Sequence, residues 1–141
     1  MKDKFKQISI KPGFMKHNGG ILFRKISNTE FEFKVSIDEN KLNSAGITHG
    51  GYICSIIDAG SGTAAHRATD NTPCVTISLD IKFIGATKTG DEIKGFTKIQ
   101  KITKSMVFLI CYLESNSRLI ASASGVWKKL NKNIPSFGPG G

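Results

Sequence analysis

A histidine followed by two glycines, His49-Gly50-Gly51, precedes a run of apolar residues at helical spacing. The first backbone N–H groups of a helix have no partners within it, and the helix dipole places positive charge near them. Because Gly50 and Gly51 lack a Cβ, a ligand carbonyl could approach these donors closely. The pattern predicts an oxyanion hole at the start of a helix, although many helices begin with glycine simply to form the turn.

A carboxylate, Asp58, follows about two helical turns after the glycines. Its neighbours Ile56, Ile57 and Ala59 are apolar or small, which predicts that Asp58 lies at or near a buried face. A buried carboxylate is costly unless it is paired or used, and near an oxyanion hole it could act as general base or nucleophile. The structural alternative is an ion pair, but Arg67, the basic residue that the helix offers, lies nine positions away.

The periodicity of the chain predicts one long helix among several strands. Apolar and small residues recur at helical spacing from Gly50 to about Arg67, and the small ones would let the helix lie close to a sheet. Strands are predicted at 21–25, 30–37, 75–83, 92–102, 106–113 and 119–128. The predicted organisation is an irregular or short helical segment over 1–18, one folded domain over 19–130 and a flexible tail over 131–141.

Two strands alternate strictly between apolar and polar residues, as half-buried strands do. The predicted inner faces are Phe31, Phe33, Val35 and Ile37 in the first, and Val75, Ile77, Leu79, Ile81 and Phe83 in the second, with Thr76 on the polar side. Residues 106–113 are apolar on both faces, which predicts a central strand covered on both sides. Because one helix cannot cover both faces of the sheet, we expect the remaining apolar face to meet another subunit.

Composition indicates an ordinary soluble domain: 141 residues, 39% hydrophobic and 22% charged. The net charge of +9 comes from dispersed lysines without an aromatic-basic motif, so we expect no nucleic-acid partner but possible attraction of a phosphorylated ligand. No apolar run reaches membrane-spanning length and no secretory signal opens the chain, so the expected location is the cytoplasm. The three cysteines are widely spaced and predict neither a metal site nor a disulfide framework.

From Asn43 to Trp127 the sequence resembles the PaaI-like thioesterases of the hotdog superfamily. The resemblance rests on an Asn six residues before the histidine of the HGG turn, an Asp nine residues after that histidine, the strand VTISLDIKFIGATKTGDEI and the closing strand ASASGVW. It implies an α+β hotdog fold, in which an antiparallel sheet wraps around one long helix. It also implies dimers with one continuous sheet and shared active sites, which commonly pair into tetramers.

The resemblance assigns roles to individual positions. Asp58 matches the catalytic acidic residue, Gly50 the glycine whose N–H polarises the thioester carbonyl, and His49 the histidine before it. Asn43 matches a residue that holds water or the carbonyl, and Thr76 one that assists the water. The alternatives are that His49 only fixes the loop and that Asn43 is an ordinary turn residue.

Further residues are expected to contact the substrate rather than take part in the reaction. Gly51 would do so at the helix start, while Lys94 and Lys98 would attract the phosphates of coenzyme A.

The expected function is hydrolysis of an acyl-CoA thioester to a free acid and a thiol, without a metal or redox cofactor. The alternative from another class is a non-catalytic hotdog protein that binds acyl-CoA, which would have no need of Asp58. A hotdog dehydratase would need an Asp–His pair placed for proton abstraction, and His49 is not spaced in that way.

Overall fold

The computed structural model describes residues 3–131, so most of the predicted C-terminal tail lies outside the described residues. The elements are β1 (Lys6–Ile8), α1 (Phe14–His17), β2 (Ile21–Lys25), β3 (Glu30–Ser36), a 3-10 turn (Glu39–Lys41), α2 (Gly50–Ala68), β4 (Cys74–Phe83), β5 (Glu92–Ile102), β6 (Met106–Ser115) and β7 (Arg118–Lys129). Every predicted strand and the long helix are present. The segment over 1–18 contains the short helix α1, but it also contains a strand, β1, that the sequence analysis did not predict.

The strands form one antiparallel seven-stranded sheet in the order β1-β2-β3-β5-β6-β7-β4. Helix α2 lies in the concave face of this sheet and contacts all strands from β2 to β7. The predicted α+β hotdog fold, with a sheet wrapped around one long helix, is confirmed. Its core is formed by the inward residues of α2 and the sheet, among which Phe33, Ile56, Ile57 and Trp127 are fully or almost fully buried.

Glycines allow the close packing of α2 on the sheet. A Cβ at Gly60 would lie 2.5 Å from ring atoms of Phe33, and one at Gly95 would also collide with that ring. The Phe33 ring therefore occupies the space that side chains at these two positions would need. This agrees with the expectation that small residues bring the helix close to the sheet.

Strand β4 lies at the edge of the sheet, and among residues 3–131 it pairs only with β7. Its register shifts between Thr76 and Ser78, so that Ile77 is the extra residue of a β-bulge and is 54% exposed. The predicted single apolar face of this strand is therefore wrong. A bulge changes the alternation, so Thr76 before it and Leu79 after it both face the helix.

The outer face of the sheet is left uncovered by residues 3–131 of the single chain. In β6, Val107, Leu109 and Leu113 point to the core, whereas Phe108 and Tyr112 are 36% and 43% exposed. The prediction that both faces of this strand are covered therefore fails for one chain. The outer face of β6 is nevertheless partly apolar, which is the reason to expect that a partner covers it. Within residues 3–131, no helix is both long and apolar enough to cross a membrane.

Candidate active site

Helix α2 begins with a side-chain cap supplied by His49. The Nδ1 atom of His49 accepts a 2.8 Å hydrogen bond from the backbone N–H of Gly51. A Cβ on Gly51 would lie 2.9 Å from that same Nδ1, so glycine is the residue that lets the imidazole approach. The Gly51 N–H is therefore already occupied, and the expected substrate contact of Gly51 stays a prediction.

The cap also limits what His49 can do. Because Nδ1 accepts the Gly51 N–H, that nitrogen is occupied and is not available to a ligand. The structure thus favours the interpretation that His49 fixes the start of the helix, by accepting an N–H.

The backbone N–H of Gly50 is a hydrogen-bond donor at the start of α2 that the His49 cap does not engage. Its N–H donates to no acceptor within residues 3–131, whereas the next three N–H groups bond to His49. The position of a Cβ on Gly50 would be 3.5 Å from the Phe83 ring, an ordinary contact. One backbone donor is therefore free at the positive end of the helix dipole.

This donor opens into a cleft of about 400 Å³ between α2 and the end of β4. The lining is mostly apolar and includes backbone of the segment after β4; it consists of Asn43, Ile47, Thr48, Gly50, Ile53, Phe83, Ile84, Gly85, Ala86, Thr87 and Ile120. Sequence reasoning singled out Asn43 and Gly50 but missed the apolar wall. The exposed pair Phe83 and Ile84, directly followed by a glycine, was the available signal.

Asn43 lies at the rim of this cleft and shapes its own loop. Its Oδ1 accepts hydrogen bonds from the N–H groups of Ala45, at 2.9 Å, and Ile47, at 3.3 Å. Both hydrogen bonds that Oδ1 accepts lie within the loop, as expected if Asn43 is an ordinary turn residue. The amide nitrogen of Asn43 remains as the group that could donate to a ligand.

Asp58 is exposed in the single chain, contrary to the prediction of a buried face. Its neighbours Ile56, Ile57 and Ala59 are buried in the core, whereas the Asp58 carboxylate lies on the side of α2 that is exposed to solvent, called here the open side of α2. There its Oδ1 accepts a 2.6 Å hydrogen bond from the Thr76 hydroxyl of β4. Because of the bulge at Ile77, Thr76 lies on the same side of the sheet as Leu79, the side that faces the helix.

The two candidate halves of the site lie too far apart to meet in one chain. Asp58 follows Gly50 by eight residues of continuous helix. At 1.5 Å per residue this is about 12 Å along the axis. A carbonyl carbon held at the Gly50 N–H is therefore beyond reach of a water bound to the same chain's Asp58.

Lys94 and Lys98 do not join this cleft. Both are exposed in β5 and alternate with the buried residues Ile93 and Thr97 that face the helix. They lie on the outer face of the sheet, opposite to α2. Alternation directs them away from the cleft of the same chain, and their attraction for the phosphates of coenzyme A stays a prediction.

A second cavity, of about 270 Å³, lies on the other side of the first turn of α2. It is lined by Phe14, Asn18, Asn40, Lys41, Leu42, His49, Gly51 and Tyr52. Burial, together with the nearby charge of Asp38, raises the pKa of Tyr52, so this phenol stays protonated. Within residues 3–131 no three His, Cys, Asp or Glu side chains are grouped as a metal site would require.

Comparisons with known proteins show the family of this chain. The family model of the Thioesterase superfamily matches residues 45–117, which include Gly50, Asp58 and Thr76. "Putative esterase PA0474" of Pseudomonas aeruginosa is 34% identical over 110 residues, or 77% of this chain and 82% of that protein.

Solved structures share the fold at lower identity. Zebra fish thioesterase superfamily member 2 has a TM-score of 0.79 and 21% identity, with 86% of this chain and 90% of that chain aligned. A mutant of the phenylacetic acid degradation protein PaaI from Thermus thermophilus has a TM-score of 0.73 and 16% identity, over 81% and 96% of the two chains. The matching family model and the Pseudomonas aeruginosa relative establish that this chain, which has the hotdog fold, belongs to the thioesterase superfamily.

Proposed function

We propose that the protein is an acyl-CoA thioesterase that hydrolyses its substrate to a carboxylic acid and coenzyme A. The observation that carries the proposal is the composition of α2: a free N–H at Gly50 and, two turns later, a carboxylate held by Thr76. Membership of the thioesterase superfamily supports thioester hydrolysis in general, as does the esterase name of the Pseudomonas aeruginosa relative.

The reaction requires charge stabilisation at oxygen and removal of a proton from water. The thioester carbonyl would accept the Gly50 N–H, which stabilises the oxyanion as it develops. Thr76 donates to Oδ1 of Asp58, so Oδ2 is left to take the proton of the attacking water. The tetrahedral intermediate then expels the thiolate, which receives that proton, and the C–S bond is replaced by a C–O bond.

The active site would be shared between two chains. About 12 Å of helix separates Gly50 from Asp58, so the carboxylate that acts at one Gly50 has to come from a partner. Exposure of Asp58 in the single chain supports this arrangement, since the partner's cleft would cover it. The cleft of about 400 Å³ would hold the pantetheine arm, and the net charge of +9 would attract the coenzyme A phosphates.

A dimer of dimers is proposed from the outer face of the sheet. Phe108 and Tyr112 are exposed there, and Tyr112 stacks on Phe96 with ring centroids 5.0 Å apart. Covering this aromatic surface by a second dimer would remove apolar area from water. Lys94 and Lys98 would then lie at the same contact, where they could approach phosphates bound by the other dimer. Sedimentation of Phe108→Lys tests this: the tetramer should fall to dimers.

The central experiment measures thiol release from acetyl-, hexanoyl-, palmitoyl-, phenylacetyl- and hydroxybenzoyl-CoA. Asp58→Ala should lower kcat by about 10²–10⁴, the range of a lost general base. If wild type and Asp58→Ala bind acyl-CoA equally well and neither releases thiol, the protein is an acyl-CoA-binding protein rather than an enzyme.

A matched pair at Gly50 tests the oxyanion donor. Gly50→Pro deletes the N–H, yet proline suits the first position of a helix, and the extended ψ of 133° at His49 suits the residue before proline. Gly50→Ala keeps the N–H and places its Cβ at an ordinary contact distance from Phe83. We expect kcat to fall about 10²–10³-fold in the proline variant and to change little in the alanine variant.

Mixing the two inactive chains tests whether the site is shared. A heterodimer of Asp58→Ala and Gly50→Pro contains one site with an intact Gly50 from one chain and an intact Asp58 from the other. Co-expression with two tags and purification of heterodimers should restore about half of the wild-type activity per dimer. A site within one chain would leave these heterodimers as inactive as the parents.

A further inference from the structure

The cavity of about 270 Å³ beside the first turn of α2 is separate from the candidate active site. It has no lining residue in common with the cleft of about 400 Å³ that Gly50 borders. His49 and Gly51, the two residues of the helix cap, lie in its wall. A molecule bound in this second cavity would therefore touch the start of α2 without occupying the cleft.

Lys41 brings a buried positive charge to the second cavity. Its side chain is 7% exposed, and its Nζ donates a 2.7 Å hydrogen bond to the carbonyl oxygen of Ser36. The carboxylate of Asp38 is 3.7 Å from this Nζ and is mostly exposed, so solvent weakens their attraction. Because a buried charge is costly unless it is well paired, the Lys41 ammonium favours a further negative group nearby.

The hydroxyl of Tyr52 is a buried donor in the same region. Tyr52 lines the second cavity and is 5% exposed, and its hydroxyl has no hydrogen-bond partner within residues 3–131. Burial, and then the nearby charge of Asp38, raise the pKa of this phenol, so it stays protonated and can donate. The Lys41 Nζ lies 5.4 Å from the centre of the Tyr52 ring, so the ammonium and the phenol lie side by side.

The remaining lining selects the kind of molecule that these donors would hold. Phe14 and Leu42 add apolar side chains, and Phe14 is exposed. None of the lining residues within 3–131 is an Asp or a Glu. A carboxylate accepts hydrogen bonds from both an ammonium and a phenol, and such charge-assisted bonds are strong. The cavity therefore suits a ligand with a carboxylate head and a small apolar body.

We propose that this second cavity binds a small organic carboxylate and that the bound carboxylate slows thiol release. The acid that the proposed reaction produces belongs to this class, so the effect on the rate rests on the proposed function, whereas the binding does not. A negative charge here would offset the positive potential that Lys41 and the helix dipole create near Gly50. Because that potential stabilises the oxyanion, the ligand should lower kcat rather than raise KM.

Calorimetric titration with hexanoate tests the binding, and hexanamide is the uncharged control that should not bind. Tyr52→Phe should weaken hexanoate binding about 10–100-fold, the effect of losing a hydrogen bond to a charged group. The same variant should not lower Tm, because the hydroxyl that it removes has no partner. Tyr112→Phe changes the other tyrosine of the chain, on the outer face of the sheet, and should bind hexanoate like wild type.

Charge variants test the preference for an anion. Lys41→Met removes the ammonium and should abolish hexanoate binding, but it also leaves the Ser36 carbonyl without its donor. Asp38→Asn avoids that problem, because asparagine can replace the Asp38 oxygen that accepts the Asn40 N–H. Since it removes the competing carboxylate, Asp38→Asn should bind hexanoate a few-fold more tightly. Unchanged or weaker binding by Asp38→Asn would contradict the role of Lys41.

S-hexyl-coenzyme A, a thioether that cannot be hydrolysed, separates the second cavity from the active site. Hexanoate should bind equally well when this thioether is saturating. In assays with hexanoyl-CoA, hexanoate should lower kcat a few-fold with little change in KM, and Tyr52→Phe should relieve this inhibition.

The proposal and the proposed function fail in different ways. Displacement of hexanoate by the thioether, a rise in KM alone, or no saturable binding up to about 10 mM overturns the second site. Binding that leaves kcat unchanged overturns its effect on the rate. Hexanoate binding that depends on Tyr52, in a protein that releases no thiol, contradicts the proposed function and leaves the binding site.

Discussion

The hydroxyl of Thr76 donates a 2.6 Å hydrogen bond to the carboxylate of Asp58, across a sequence separation of 18 residues. This contact joins the edge strand β4 to the open side of α2. It fixes one carboxylate oxygen and leaves the other available. Because both residues are exposed in the single chain, the contact lies at the surface rather than in the core.

Replacing Thr76 should separate chemistry from folding. Thr76→Val removes the donor but keeps the shape and the strand propensity, whereas Thr76→Ser keeps the hydroxyl. A hydrogen bond to a charged group is worth about 1.5–3 kcal/mol, so kcat should fall about 10–100-fold in the valine variant. Thiol release checks this, and equal rates for the valine and serine variants would remove Thr76 from the site.

The cap at His49 should contribute to stability. His49→Ala removes the acceptor of the Gly51 N–H and should lower the free energy of unfolding by about 0.5–2 kcal/mol. His49→Asn supplies another good cap and should stay close to wild type. Urea unfolding measures both variants; an alanine variant as stable as the asparagine variant would show that the cap is dispensable.

Close packing at Gly60 should make even one methyl group costly. A Cβ there would lie 2.5 Å from the Phe33 ring, which is well packed on all sides. Gly60→Ala should therefore destabilise the fold by about 1–3 kcal/mol, although alanine is the better helix former. Gly50→Ala, whose Cβ finds an ordinary contact, is the control and should change the unfolding midpoint little.

His66 should contribute to acid sensitivity. Burial first, and then the neighbouring charge of Arg67, lower the pKa of His66 below its ordinary value of 6.5. The unfolded chain therefore binds more protons than the folded one as the pH falls through 6.5, and stability is lost toward acid. His66→Gln should reduce the fall in Tm between pH 7 and pH 5, while His17→Gln on the surface should not. Identical pH profiles for wild type and His66→Gln would contradict this.

The sequence was sufficient for the elements because their periodicity is local. The spacing of Ile53, Ile56 and Ile57 predicts α2, and the alternation from Phe31 to Ile37 predicts β3 and the side that it buries. Strand β1 was missed because three residues, Lys6–Ile8, are too few to display a period. Its position depends on pairing with β2, which is a tertiary contact.

The candidate site was predicted in its residue types but not in its contacts. Apolar neighbours suggested a buried Asp58, yet a helix directs successive side chains about 100° apart, so Asp58 points away from the core that its neighbours enter. Strict alternation placed Thr76 on the far side of β4, because a bulge has no clear signature in a single sequence. The occupation of Gly51 by His49 depends on an imidazole rotamer, which residue spacing does not specify.

The position of β4 in the sheet also bears on how the protein is made. This strand is the fourth in the chain but the last in the sheet, and its one partner within residues 3–131 is β7, at Arg118–Lys129. On the ribosome, β4 must therefore wait for some forty further residues before its inner edge is paired. Until then Thr76 has no ordered strand from which to reach Asp58, so the candidate site is completed only after β7 has been made. A nascent chain that stalls before β7 leaves both edges of β4 free instead of its outer edge alone.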